Sequence, residues 1–444
     1  MHSKVPKVLH PLEGRPMIDL VLDACLGAGA REALVVVSPG APEVAEHVAS
    51  RARTVVQEAP RGTGDALAAV PSELIRDKDL LIVHGDQPLL RAQTLAALVA
   101  AHHESNALAT IASTHAPGRP DGRILRDESG RFLRIVEHRD ATPSERAIAE
   151  INLGAYCVRG ASVGPALARL SPDNTQGEVY LTDLFPLLAS VQVFDVADPE
   201  EATGINDRVQ LARAAGILRR RRLEDLMRRG VTVVDPATTL VEQEVEVGED
   251  TVLEPGTLIR GRTTVGRGCH LGPFTEIVDA TIGDGVTVTH SWVNGARIGD
   301  GSDCGPFAKL RPGTDIAAGV HVGSFAELVR TRVGSGSAVP HVSYLGDTTV
   351  GERVNVAAGT ITANYDGTNK NPTHIGDDVF LGVDTMLVAP VEVGRRARTG
   401  AGSVVTRDVP EGTTVVGMPA RRIRREHPGQ ESADGSAATP EERS

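Results

Sequence analysis

Between about Val247 and Val409, an aliphatic residue followed by glycine recurs at a spacing near six. The pairs are Val247-Gly248, Val265-Gly266, Leu271-Gly272, Ile282-Gly283, Ile298-Gly299, Val322-Gly323, Val333-Gly334, Val350-Gly351, Ile375-Gly376, Leu381-Gly382 and Val393-Gly394. Several steps are multiples of six, and the others are one or two residues off. Such a hexapeptide period predicts a parallel β-helix, in which each short strand buries one aliphatic side chain and small residues take the strained corners. Three hexads, roughly eighteen residues, make one triangular coil.

Before this stretch the pattern changes. From Met1 to about Asn206, short apolar runs alternate with helical periodicity. Ala33 to Val37 and Leu80 to Val83 read as buried parallel strands, and Pro16 to Leu26 and Gln93 to His102 as helices. This predicts an α/β, Rossmann-like domain whose ligands sit at the carboxyl ends of strands. Gln210 to Arg229 reads as one helix closed by Gly230. The expected organisation is an α/β domain over residues 1–208, a linker helix over 209–230, a β-helix over 231–420, and a basic, then disordered, tail over 421–444.

Composition narrows the partners. With 46 Lys and Arg against 58 Asp and Glu, the net charge is −12, which argues against nucleic acid and against a membrane surface. Arg219 to Arg222 therefore reads as a solvated helix face. The four cysteines lack CxxC spacing, and the polar opening has no apolar signal core, so a reducing cytoplasm is expected.

Candidate chemistry in the first domain concerns phosphates and sugars. Lys7, in Val5-Pro6-Lys7-Val8-Leu9-His10, offers an ammonium to a phosphate. Gln57 precedes Arg61-Gly62-Thr63-Gly64, which is either a loop that approaches a base closely or an ordinary turn. Asp86, in His84-Gly85-Asp86-Gln87-Pro88-Leu89, follows an apolar strand, where a carboxylate can hold Mg²⁺ or cap a helix. With Asp121-Gly122-Arg123-Ile124, Val136-Glu137-His138-Arg139-Asp140, Glu150-Ile151-Asn152 and Gly204-Ile205-Asn206-Asp207, the order and spacing resemble one family. It is the bifunctional N-acetylglucosamine-1-phosphate uridyltransferase/glucosamine-1-phosphate acetyltransferase family of bacterial cell-wall precursor synthesis.

The resemblance runs from Met1 to about Pro419 and implies a left-handed β-helix. By it, Asp86 and Asn206 would hold Mg²⁺, and Lys7 would contact phosphates. Gln57, Gly62 and Thr63 would recognise uracil, while Gly122, Glu137 and Asn152 would hold N-acetylglucosamine-1-phosphate. The implied reaction is attack of that sugar phosphate on UTP with loss of pyrophosphate. The family opens on a strand and a glycine-rich phosphate loop, and Met1-His2-Ser3 fits the end of that motif. The expectation is that Met1 is an internal methionine. A chain starting there would be severely impaired in uridyl transfer.

In the β-helix, His341 is the candidate base that takes a proton from the glucosamine nitrogen as it attacks acetyl-CoA. Arg311, Tyr344, Asn355, Asn364, Tyr365 and Lys370 match the family's binding residues for glucosamine-1-phosphate and acetyl-CoA, with Val383 and Ala401 at acetyl-CoA positions. Val329 stands where the family has a lysine near the sugar phosphate, Val383 where it has serine, and Gly417 where it often has arginine. Weakened but surviving acetyl transfer is expected. The resemblance also implies a homotrimer with acetyl-CoA bound between neighbouring coils. Two competing readings are a β-helix metalloenzyme using His270, His290, His321, His341 and His374, which lack paired spacing, and a non-catalytic regulatory or scaffold subunit. An acetyltransferase alone is the reading for a truncated chain.

Overall fold

The computed structural model describes residues 1–172 and 174–423. Residues 424–444, which include most of the tail expected to lack order, lie outside the described residues. Chain contacts divide it into two units, Met1–Arg221 and Arg222–Ser444.

The first unit is built on the long strand Glu150–Arg159. One edge pairs antiparallel with Ala109–His115, and the other pairs with Asp79–Val83 and, through Ile151, with Arg123–Arg126. Phe132–Val136 and Val191–Asp195 complete the six strands. Alternate residues of the central strand feed opposite cores, as a pleated strand requires. Tyr156 and Val158 pack with Leu184 and Phe185, whereas Ala155 and Cys157 pack with Leu95 and Leu98. The helices expected near Pro16 and Gln93 span Met17–Gly27 and Ala92–Ser105.

Two strand expectations need correction. Leu80 to Val83 pairs antiparallel with the central strand, and among the described residues it has a neighbour on one edge only. Leu34–Val37 is parallel, but only to Arg53–Val56, in a separate two-stranded sheet. Both runs are therefore largely half-buried rather than buried. Arg219 to Arg222 is also not simply a solvated face: Arg220 pairs with Glu200, and Arg221 binds Asp198 and the Leu89 carbonyl. The helix itself runs Arg208–Arg228.

The second unit is a triangular coil. Its three faces begin at Thr232–Val233, Leu240–Val241 and Glu246–Val247, and neighbouring coils pair in parallel. On the second face, Ile259, Ile277, Val293, Leu310, Leu328 and Leu345 stack inward, each fully buried. The glycine of the recurring pair has a steric cause. A Cβ on Gly248 would lie 2.6 Å from the Gly266 carbonyl oxygen, and one on Gly334 would lie 2.5 Å from that of Gly351. Successive coils are stacked too closely there for a side chain. The only antiparallel pairing in the coil's described strands closes its end, Thr414–Val416 against Arg421–Ile423.

Candidate functional site

Strand ends of the first unit gather the residues expected at a phosphate site. Asp86 follows Asp79–Val83, Lys7 lies in the 3-10 turn Lys7–Leu9, and Asn206 precedes the helix Arg208–Arg228. Lys7 Nζ donates to Asp86 Oδ2 at 2.6 Å and to Asn206 Oδ1 at 2.9 Å. The Ile205 amide bonds the Asp86 carbonyl at 3.0 Å, which keeps the two segments in register. A cation thus already stands between one carboxylate and one amide oxygen, the hard donors that magnesium favours.

The Gln57 segment forms a second group. Gly62 has φ +117°, and a Cβ there would collide with the Val179 backbone, so only glycine fits. Gln57 Nε2 donates to the Gly62 carbonyl at 3.1 Å and to Asp65 Oδ2 at 2.8 Å, which leaves Oε1 as its acceptor atom. Thr63 Oγ1 accepts the Leu181 amide at 3.0 Å.

A third group lies across the neighbouring strands. The Asn152 amide bonds the Gly122 carbonyl at 2.8 Å, and a Cβ on Gly122 would sit 3.4 Å from Glu137 Oε2. Asn152 Nδ2 donates to Tyr156 Oη at 2.7 Å, and Thr182 Oγ1 donates to Glu137 at 3.1 Å. Burial pushes the Glu137 carboxyl above the usual range, opposed by the Thr182 bond and aided by Asp183, Asp140 and Asp121. The supporting residues Asp65, Tyr156 and Thr182 were not foreseen. Tyr156 lies mid-strand and Thr182 in a distant segment, so neither carries a local signal, whereas Asp65 directly follows Gly64 in the helix Thr63–Ala68.

In the coil, the expected residues divide between the two edges of the second face. His341 ends the first-face strand Ala338–His341, and its carbonyl accepts Ser343 Oγ at 2.8 Å. The next residue, Val342, has φ +44° and is 58% exposed, a strained backbone for a β-branched side chain. Val383 and Ala401 lie at this same edge two and three coils on, joined where the Gly402 amide bonds the Val383 carbonyl. Asn355 lies on the first face, paired with Ala338.

The other edge holds Arg311, Asn364, Tyr365 and Lys370. Arg311 Nη1 donates to Glu327 at 3.0 Å. Asn364 opens a loop that leaves the coil between Ile361–Ala363 and Thr373–Ile375, and Tyr365 bridges Lys370 across it. Asp366 caps the loop by accepting the Thr368 and Asn369 amides at 2.8 and 2.7 Å. Tyr344 starts the second face but reaches toward this edge: a Cβ on Gly346 would lie 2.7 Å from its Oη and 2.6 Å from Asn364 Nδ2. One residue at this edge escaped notice, Asp347, because a hexad corner reads as a turn residue. His341 is roughly 10 Å of strand away from this group, by the rise of a three-residue strand.

Of the other histidines, His270 meets Glu254 and His321 meets Asp303. Among the described residues, no three His, Cys, Asp or Glu side chains converge as a metal centre would require.

The profile for the MobA-like NTP transferase domain matches residues 1–189, and that for the bacterial transferase hexapeptide, six repeats, matches residues 372–407. The chain is 45% identical over 431 residues to the bifunctional protein GlmU of Carboxydothermus hydrogenoformans, covering 96% of each chain. It is 41% identical over 423 residues to the bifunctional protein GlmU of Brevibacillus brevis, covering 94% of this chain and 92% of that one. With Listeria innocua GlmU the identity is 43% over 417 residues, covering 93% and 91%. Identity of this order across both units means that the chain belongs to the bifunctional GlmU family.

Proposed function

We propose that the protein makes UDP-N-acetylglucosamine in two steps: acetyl transfer from acetyl-CoA to glucosamine-1-phosphate, then uridyl transfer from UTP to N-acetylglucosamine-1-phosphate. The observation that carries this reading is the identity with bifunctional relatives over 96% of the chain, which spans both units.

In the second unit, His341 takes the proton from the glucosamine nitrogen as that nitrogen attacks the thioester carbonyl and CoA leaves. Arg311, Tyr344, Asn364, Tyr365 and Lys370 hold the sugar phosphate and acetyl group, and Asn355, Val383 and Ala401 complete the surface for acetyl-CoA. In the first unit, Gln57, Gly62 and Thr63 select uracil by hydrogen bonds, and Gly122, Glu137 and Asn152 grip the sugar. The phosphate oxygen attacks the α-phosphorus in line, and Lys7 moves from Asp86 to the phosphates. Magnesium, held by Asp86 and Asn206, would supply charge neutralisation at the phosphates when bound. This chemistry draws on cytoplasmic pools of UTP and acetyl-CoA, where the four free cysteines are also at home.

Two observations support a homotrimer with shared acetyl-transfer sites. His341 and the Arg311–Asn364 group lie on opposite edges of one face, so a neighbouring coil that closes the gap would complete the site. The edge that carries His341 also bears an exposed ladder in earlier coils: Phe274, His290, Phe307 and Phe325, with ring centroids 5.8, 5.7 and 5.2 Å apart in turn. Phe274 and Phe325 are 70% and 62% exposed, an apolar ridge that a second copy would cover.

A CoA-release assay with glucosamine-1-phosphate tests the acetyl step. His341→Ala should abolish turnover, and a variant as active as wild type would remove His341 from the mechanism. UDP-N-acetylglucosamine that stabilises the protein thermally without any turnover would favour a non-catalytic subunit.

A further inference from the structure

At the edge between the second and third faces, one carboxylate joins residues from successive coils. Asp347 accepts Arg330 Nε at 2.6 Å, Arg330 Nη2 at 2.8 Å and Asn364 Nδ2 at 2.6 Å. The Arg330 bond holds its carboxyl below the usual range, and Asn364 and the Lys370 ammonium add to that. Val329, one residue earlier, is apolar and 3% exposed, so it supplies no charge to a ligand. Arg330 has φ +48°, which breaks the alternation of the strand and carries its guanidinium out to the corner.

We propose that Asp347 is a positioning residue for acetyl transfer: it holds Arg330 as a phosphate-binding cation in place of a charge at position 329, and it turns the Asn364 amide so that Oδ1 faces the ligand. The inference rests on the acetyl-transfer reading above. Two guanidinium nitrogens are committed to Asp347, and Nη1 is left to meet an oxygen of the sugar phosphate. An amide whose nitrogen is tied to a carboxylate presents its oxygen, and so accepts from an attacking amine rather than donating to it. Bare backbone at Gly346 gives the Tyr344 hydroxyl and the Asn364 amide room to converge beside this carboxylate. The ligand class is therefore an amino sugar carrying a phosphate monoester, its two ends read by two residues that share one anchor.

The test measures CoA release against glucosamine-1-phosphate concentration for the wild type, Asp347→Asn, Arg330→Met and the double variant, with thermal unfolding as the check on folding. Asn tolerates the positive φ of position 347 (+51°) as Asp does. Loss of the charge-assisted bonds should lower kcat/KM for Asp347→Asn by roughly 10- to 100-fold, through both a higher KM and a lower kcat. Arg330→Met should raise KM alone, and the double variant should be no worse in KM than Asp347→Asn, because both changes disable one element. Arg330→Lys, which keeps the charge without the fork, should fall between wild type and Arg330→Met, and it reads the same contact if Asp347→Asn unfolds. An active wild type with folded Asp347→Asn at wild-type kcat and KM, or strictly additive effects, overturns the inference. A wild type that releases no CoA overturns the acetyl-transfer reading itself.

Discussion

Gly62→Ala is a sharp perturbation of the proposed uracil-binding segment, because two separate constraints meet at that residue. Its backbone has φ +117° and ψ 176°, a region essentially reserved for glycine, which costs other residues of order 1–3 kcal/mol. The added Cβ would also meet the Val179 carbonyl oxygen, and would lie 2.9 Å from the Val179 nitrogen. That neighbour is backbone, held by Val179 N to Arg61 O at 2.7 Å and by Gly64 N to Val179 O at 2.8 Å, so it cannot swing aside as a side chain would. The 62–64 segment must move, and it carries with it the carbonyl that orients Gln57. If a strain of ~1–3 kcal/mol is relieved by local rearrangement, binding of UTP should weaken by roughly 5- to 150-fold. The assay is KM for UTP from pyrophosphate release, beside CoA release from the same preparation. The expected result is a raised KM for UTP with acetyl transfer intact. A KM within about twofold of wild type, with an unchanged unfolding profile, would refute the steric argument.

Three further outcomes are expected. Burial raises the Glu137 carboxyl, so the folded chain holds its proton over a pH range in which the unfolded chain has lost it; this contribution to stability is present at low pH and falls as pH rises through the folded value. Glu137→Gln should therefore flatten the loss of stability with rising pH, measured by thermal unfolding against pH, while raising KM for N-acetylglucosamine-1-phosphate by roughly 10-fold or more. Lys7→Met removes a cation that competes for Asp86 and Asn206. The Lys7–Asp86 pair is partly exposed and worth at most ~1 kcal/mol, so magnesium should bind up to about fivefold tighter by calorimetry while uridyl transfer slows. Weaker magnesium binding would show that the ammonium assists the site. Leu328→Ala opens a cavity in the inward column between Leu310 and Leu345, where Leu328 is 0% exposed. It should cost the second unit ~2–5 kcal/mol in denaturant unfolding, and a loss below about 0.5 kcal/mol would contradict the packing described.

The coil was legible because its physics is local and repeated: one aliphatic side chain in, then a glycine where the next coil's carbonyl presses. The candidate site residues were legible mainly through the spacing of motifs such as His84 to Leu89 and Val136 to Asp140, not through their contacts. Strand direction was hidden, because the apolar run Leu80 to Val83 reads the same in parallel and antiparallel sheets. The pairing of Arg330 with Asp347 was hidden for another reason: it depends on positive φ at two stacked corners, which hexad spacing locates but does not describe. The Phe274 to Phe325 ladder had a signal, an aromatic at the same corner register in successive coils, that a search for aliphatic–glycine pairs passes over.

The central claim is that one chain carries both transfers. Protein from its native source, supplied with acetyl-CoA, glucosamine-1-phosphate, UTP and magnesium, should release CoA and pyrophosphate and accumulate UDP-N-acetylglucosamine, followed together by mass spectrometry. Absence of either released product at millimolar substrate would contradict the account.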